Sequence, residues 1–223
     1  MRHPPAFAVA MMLLAGGHGV ARAGSTGLFG SQEVFTSDLA PLTKWDAVMA
    51  RIDAERDMTR PPCAADSSCV AGWWQSFIAK LKSLPLEARV LRVNRVMNHV
   101  RYVPSEANWR DPDHWETPLQ FLTHGGQCQD YAIAKFMALA DSGVPDAALR
   151  FVVVRDALSS IFHAVTVAFV EGEPFVLDNE TPDVLPSRSV TRYVPYYSIN
   201  RSGWWYHEST TSGLAGAIAA ATR

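Results

Sequence analysis

The sequence predicts an α+β domain in which N-terminal helices pack on an antiparallel β-sheet. Three observations carry this expectation. Apolar residues recur at helical spacing in the first half, strand-like runs fill the second half, and no strand–helix–strand alternation joins them. Leu42, Trp45, Val48, Met49 and Ile52 mark one face of a helix over 42–52. Trp73, Trp74, Phe77, Ile78, Leu81 and Leu84 mark a second over 73–84, and Leu86, Val90, Val93, Met97 and Val100 a third over 85–100. Residues 102–118, broken by Pro104, Pro112 and Pro118, read as a long ordered loop, and such loops often carry function. Gly125, Gly126, Gln127 and Cys128 lead into a helix over 129–142 that Gly143 and Pro145 end. Strands rich in β-branched and aromatic residues follow at 149–154, 162–170, 175–178 and 194–199. The alanine-rich tail over 214–222 reads as a frayed helix.

The composition narrows the class. The chain has 223 residues, 48% of them apolar, with 20 Lys+Arg against 22 Asp+Glu. This excludes a disordered, collagen-like or coiled-coil chain and predicts one domain. Near-neutral charge lacks the basic face of a nucleic-acid binder. No apolar run reaches the roughly 18 residues of a membrane span. Residues 1–23 read as an export signal: Arg2 and His3, then the apolar run 6–15, then Ala21-Arg22-Ala23 as a small-x-small cleavage site. The mature chain, 24–223, is then a single exported domain, periplasmic in a Gram-negative host.

Three cysteines in an exported protein leave one over. Cys63 and Cys69 enclose a short polar loop and suit a local disulfide, although a pair of free thiols fits the same spacing. No second ligand pair stands at zinc-finger spacing, and His99, His114, His124 and His207 show no metal spacing either. Cys128 is the remaining thiol. Backbone N–H groups at a helix start stabilise both a thiolate and an oxyanion on a substrate carbonyl. The same placement also suits an inert cysteine opening a core helix. His163 lies in an apolar strand, on one face with Val165, Val167 and Phe169, and Asp178 ends the next strand. If Glu171-Gly172 is a two-residue turn, Asp178 lies opposite Val165, diagonal to His163 and within side-chain reach. A turn one residue earlier puts it opposite His163, and one later puts it out of reach. Trp109 or Trp115 suits the lining of a substrate groove or help to an oxyanion, although a Trp is more often core or groove wall.

Trp115-Glu-Thr-Pro-Leu, Gly125-Gly-Gln-Cys-Gln-Asp-Tyr-Ala-Ile-Ala-Lys, Gly143-Val-Pro, Leu149-Arg-Phe-Val-Val-Val, His163-Ala-Val, Val176-Leu-Asp-Asn and Tyr193-Val-Pro-Tyr-Tyr-Ser-Ile-Asn with Gly203-Trp-Trp follow in an order that resembles the bacterial transglutaminase-like cysteine peptidases, the LapG-type periplasmic proteases. The resemblance implies a papain-like fold, Cys128 as nucleophile, His163 as base and Asp178 as its orienter. It implies a surface adhesin as substrate, release of biofilm cells as the outcome, and an inner-membrane receptor regulated by cyclic di-GMP as partner. It also implies calcium held by acids flanking the nucleophile. Here Gln127 and Gln129 replace two of those acids and only Asp130 remains, so calcium dependence is expected to be weak or absent. Two other readings stay open: acyl transfer to an amine by the same triad, and an idle binding module that keeps the fold.

Overall fold

The computed structural model describes residues 27–58 and 69–208. The expected export signal, Cys63 and the tail helix lie outside them, so the signal and the Cys63–Cys69 pairing belong to the sequence reading alone. Six α-helices lie among the described residues: α1 (Thr43–Met58), α2 (Val70–Lys82), α3 (Leu86–Met97), α4 (Ser105–Trp109), α5 (Pro118–His124) and α6 (Cys128–Asp141). Seven strands, β1 (Gln32–Thr36), β2 (Leu149–Asp156), β3 (Phe162–Val170), β4 (Glu173–Leu177), β5 (Leu185–Pro186), β6 (Tyr193–Ile199) and β7 (Trp204–Glu208), form one sheet in the order β1-β7-β6-β2-β3-β4-β5. Every pairing is antiparallel. No described helix is long and apolar enough to cross a membrane.

The main core lies between the helices and one sheet face. Trp45 of α1 packs edge-on against Phe136 of α6 (ring centroids 5.3 Å apart) and against Phe151 of β2 (5.5 Å). Strand alternation divides β3 between two layers. Ala164, Ala168 and Val170 join the helix-side core, whereas Val165 and Val167 join a smaller core with Leu28, Val152, Val154, Val176 and Tyr193. Thr166 Oγ1 donates to the Ala132 carbonyl at 2.6 Å and pins α6 to the middle of β3. One turn back along α6 and three residues back along β3 then lead to the same end of the molecule, where Cys128 and His163 stand.

The structure departs from the sequence expectations in several places. α1 runs to Met58, beyond the expected 52, because an apolar stripe marks only the buried face and nothing in Asp53-Ala-Glu-Arg breaks a helix. The loop over 102–118 contains the five-residue α4, closed by Arg110 at φ 55°. α5 was not expected. Its signals are a Thr117–Gln120 capping box and Pro118 in the first turn. A strand precedes the helices: β1 pairs with β7 at the far edge of the sheet, so helices do not simply come first. β1 is mostly exposed and lacks clean alternation, which hid it from pattern reading. The β3–β4 turn takes the first of the three registers. Val170 pairs with Glu173 across Glu171-Gly172, both at positive φ, so Asp178 continues opposite Val165.

Candidate active site

Cys128 is the first residue of α6, and it is partly exposed and free. The chain reaches it through two glycines with distinct tasks. Gly125 sits at φ 78°, where a Cβ would lie 2.4 Å from the Arg101 carbonyl oxygen. Gly126 has ordinary φ, but a Cβ there would stand 2.7 Å from the Asp130 carboxylate. The second glycine therefore makes room for Asp130 rather than for the thiol. Asp130 is fully buried and accepts from the backbone N–H of Glu116 (2.8 Å) and of Gln127 (2.9 Å). It joins the 105–116 segment to the start of α6. Burial, aided by the nearby Glu116, outweighs these bonds and pushes its pKa to about 7.

His163 and Asp178 come together. His163 Nε2 lies 2.8 Å from Asp178 Oδ1, and both side chains are nearly buried. Asp178 Oδ1 also accepts from the Glu180 N–H at 3.0 Å, and its Oδ2 accepts from Tyr193 Oη at 2.5 Å. Asn98, the C-cap of α3, donates to the Asp178 carbonyl (2.8 Å) and the Thr181 carbonyl (2.9 Å), fixing the loop that carries the acid. Burial opposes the charged imidazole, but hydrogen bonds and charge from Asp178 and Cys128 prevail and raise its pKa to about 10. Burial also opposes the Asp178 carboxylate; His163, Tyr193 and the Glu180 N–H prevail and lower it to about 2. The pair is an imidazolium–carboxylate at neutral pH, beside the Cys128 sulfur.

The predicted site residues thus converge on one end of the sheet. Trp109 Nε1 donates to Glu116 Oε1 at 2.6 Å and its ring stacks on His114. Trp115 packs on Phe151 in the core. His207 is buried between Ser31 and Ser198. Among the described residues one group of three possible metal ligands stands together: His163, Asp178 and Glu180. Sequence reasoning gave Tyr193 and Asn98 no role in the site. Nothing local marks either one, since each reaches Asp178 across the fold.

The sequence profile described as bacterial transglutaminase-like cysteine proteinase matches residues 64–211. No curated protein is matched. Among solved structures, calcium-bound LapG of Legionella pneumophila is 24% identical, with a TM-score of 0.57 over 79% of this chain and 96% of that one. EGTA-treated LapG of the same organism is 22% identical, with a TM-score of 0.58 over 81% and 99%. At these identities the likeness is one of fold.

Proposed function

The chain belongs to the bacterial transglutaminase-like cysteine proteinases and is a cysteine peptidase acting on protein; from that premise we propose that it is an exported thiol endopeptidase with a Cys128–His163–Asp178 triad. The observation that carries the triad is the buried 2.8 Å His163–Asp178 contact at the end of the molecule where α6 presents Cys128. The proton of Cys128 goes to His163, and the sulfur attacks the scissile carbonyl carbon as a thiolate, forming the thioester's C–S bond. The first N–H groups of α6 have no intrahelical acceptor and hold the oxyanion. His163 passes its proton to the leaving amine, and water then cleaves the thioester and restores the thiol. Asp178 keeps the imidazole oriented throughout; the ring is neutral once the amine has left and regains its charge when it takes the proton of the attacking water.

The substrate in this reading is a large surface adhesin whose cleavage releases biofilm cells. A receptor in the inner membrane, responsive to cyclic di-GMP, restrains the enzyme. Residues 1–23 direct export to the periplasm, and Cys63–Cys69 closes as a disulfide there. Calcium has no step in this mechanism.

The test is digestion of N-terminal adhesin fragments from the same genome by residues 24–223, beside Cys128→Ala, with products read by mass spectrometry. A single cut made only by the wild type is expected. No cut from any adhesin, with amine incorporation instead, would replace hydrolysis by acyl transfer; neither product would leave an idle binding module.

A further inference from the structure

Gln129 follows the nucleophile and is buried. Its carboxamide nitrogen lies among three oxygens: Ser105 Oγ at 3.4 Å, the His114 carbonyl at 3.4 Å and Asp130 Oδ2 at 3.5 Å. Its other end, Oε1, is 3.7 Å from Cys128 Sγ and accepts from the thiol. Ser105 Oγ in turn donates to the His114 carbonyl at 3.0 Å. Glu116, wholly buried, stands in the same neighbourhood, where its charge acts on Asp130. Converging hydroxyl, carbonyl and carboxyl oxygens are what a hard cation takes. Here an N–H₂ group stands among them.

Legionella LapG has been solved with calcium and after EGTA treatment. The residues of this chain do not fit that ion. Both oxygens of Asp130 already accept backbone N–H groups. Glu116 Oε1 is taken by Trp109 and Asn108, which leaves only its Oε2 unclaimed. Gln127 turns its own amide nitrogen to the Pro112 carbonyl at 3.2 Å. Calcium needs six to eight oxygens with substantial negative charge, and with Asp130 engaged, one Glu116 oxygen free and the Gln129 N–H₂ standing among the rest, the donors present fall short of that. The His163–Asp178–Glu180 group is no substitute, because a cation there would compete with the proton for the imidazole.

We infer that Gln129 is a built-in replacement for a cation: its carboxamide ties the 105–114 segment to the start of α6 and meets the Cys128 thiol, so this chain holds its nucleophile in place without calcium. The role is one of positioning. Its test reads binding and stability, so it stands or falls separately from the peptidase reading.

Residues 24–223 are titrated with calcium chloride by calorimetry, and melting is followed in calcium and in EGTA. The wild type is expected to give no binding heat and one Tm in both. Gln129→Glu places a carboxylate among the same oxygens. It should melt lower in EGTA and recover by roughly 5–10 °C at calcium a hundredfold above its Kd. Gln129→Met should melt lower and ignore calcium. Micromolar calcium binding by the wild type overturns the inference. So does a Gln129→Glu chain that folds and ignores calcium, or that fails to fold with and without it.

Discussion

Asp178→Asn tests the electrostatics of the site directly. The amide oxygen can still accept from His163 Nε2 and the Glu180 N–H, and Tyr193 Oη can turn to accept from the new N–H₂. Geometry is largely kept while the negative charge is lost. Only the contact with Cys128 then offsets the burial that opposes the charged imidazole, so His163 falls well below about 10. Removing one partner of a buried ion pair costs about 3–5 kcal/mol. If that loss is felt in the transition state, turnover falls by roughly 10²–10⁴-fold. The assay is iodoacetamide alkylation at pH 4–10, followed in the Cys128 peptide by mass spectrometry, with circular dichroism as the fold control. A thiol with an ordinary pKa near 8.5 is about 0.3% ionised at pH 6. The wild type should therefore alkylate readily at pH 6 and Asp178→Asn roughly a hundredfold more slowly. Equal rates with equal pH profiles would refute the reasoning, because the carboxylate would then do nothing for the thiol.

Two further outcomes concern stability. Asp178 is lowered from 3.8 to about 2 and His163 raised from 6.5 to about 10, so the pair's contribution is whole between pH 3.8 and 6.5. It fades as pH falls toward 2 and as it rises toward 10; urea midpoints of the wild type minus those of His163→Gln/Asp178→Asn should peak near pH 5, and a flat difference would contradict this. Lys135 of α6 is fully buried with no hydrogen-bond partner for its Nζ, and burial lowers it from 10.5 to about 7 despite the attraction of Asp178. The unfolded chain keeps a proton that the folded chain has released, so the contribution of this lysine rises from pH 7 to 10.5, against the loss from His163 over the same window. Lys135→Met should remove that rise and stabilise the fold at pH 7 by about 1–4 kcal/mol in urea unfolding; a destabilised variant would overturn the assignment of Lys135 as a net burden.

The sequence by itself determined the layers, because burial imposes a period. Stripes every three to four residues placed α1, α2 and α3 to within a few residues, except where α1 continued along an unstriped polar turn. Two glycines before a cysteine and a helical run fixed the thiol at the start of α6, since only local backbone geometry was needed. The register of β3 and β4 narrowed to three choices because a short turn allows few. Only the tertiary structure decided which choice held, and with it whether His163 could meet Asp178. It also brought Tyr193 and Asn98 to the acid and the 105–116 segment over the helix start. Those contacts join residues far apart in the chain, and their energies depend on burial and direction. Neither is written in local pattern. The amide at Gln129 shows the division most clearly. Its identity is read from the chain, but the oxygens around it come from Ser105, His114 and Asp130, which only the folded chain gathers.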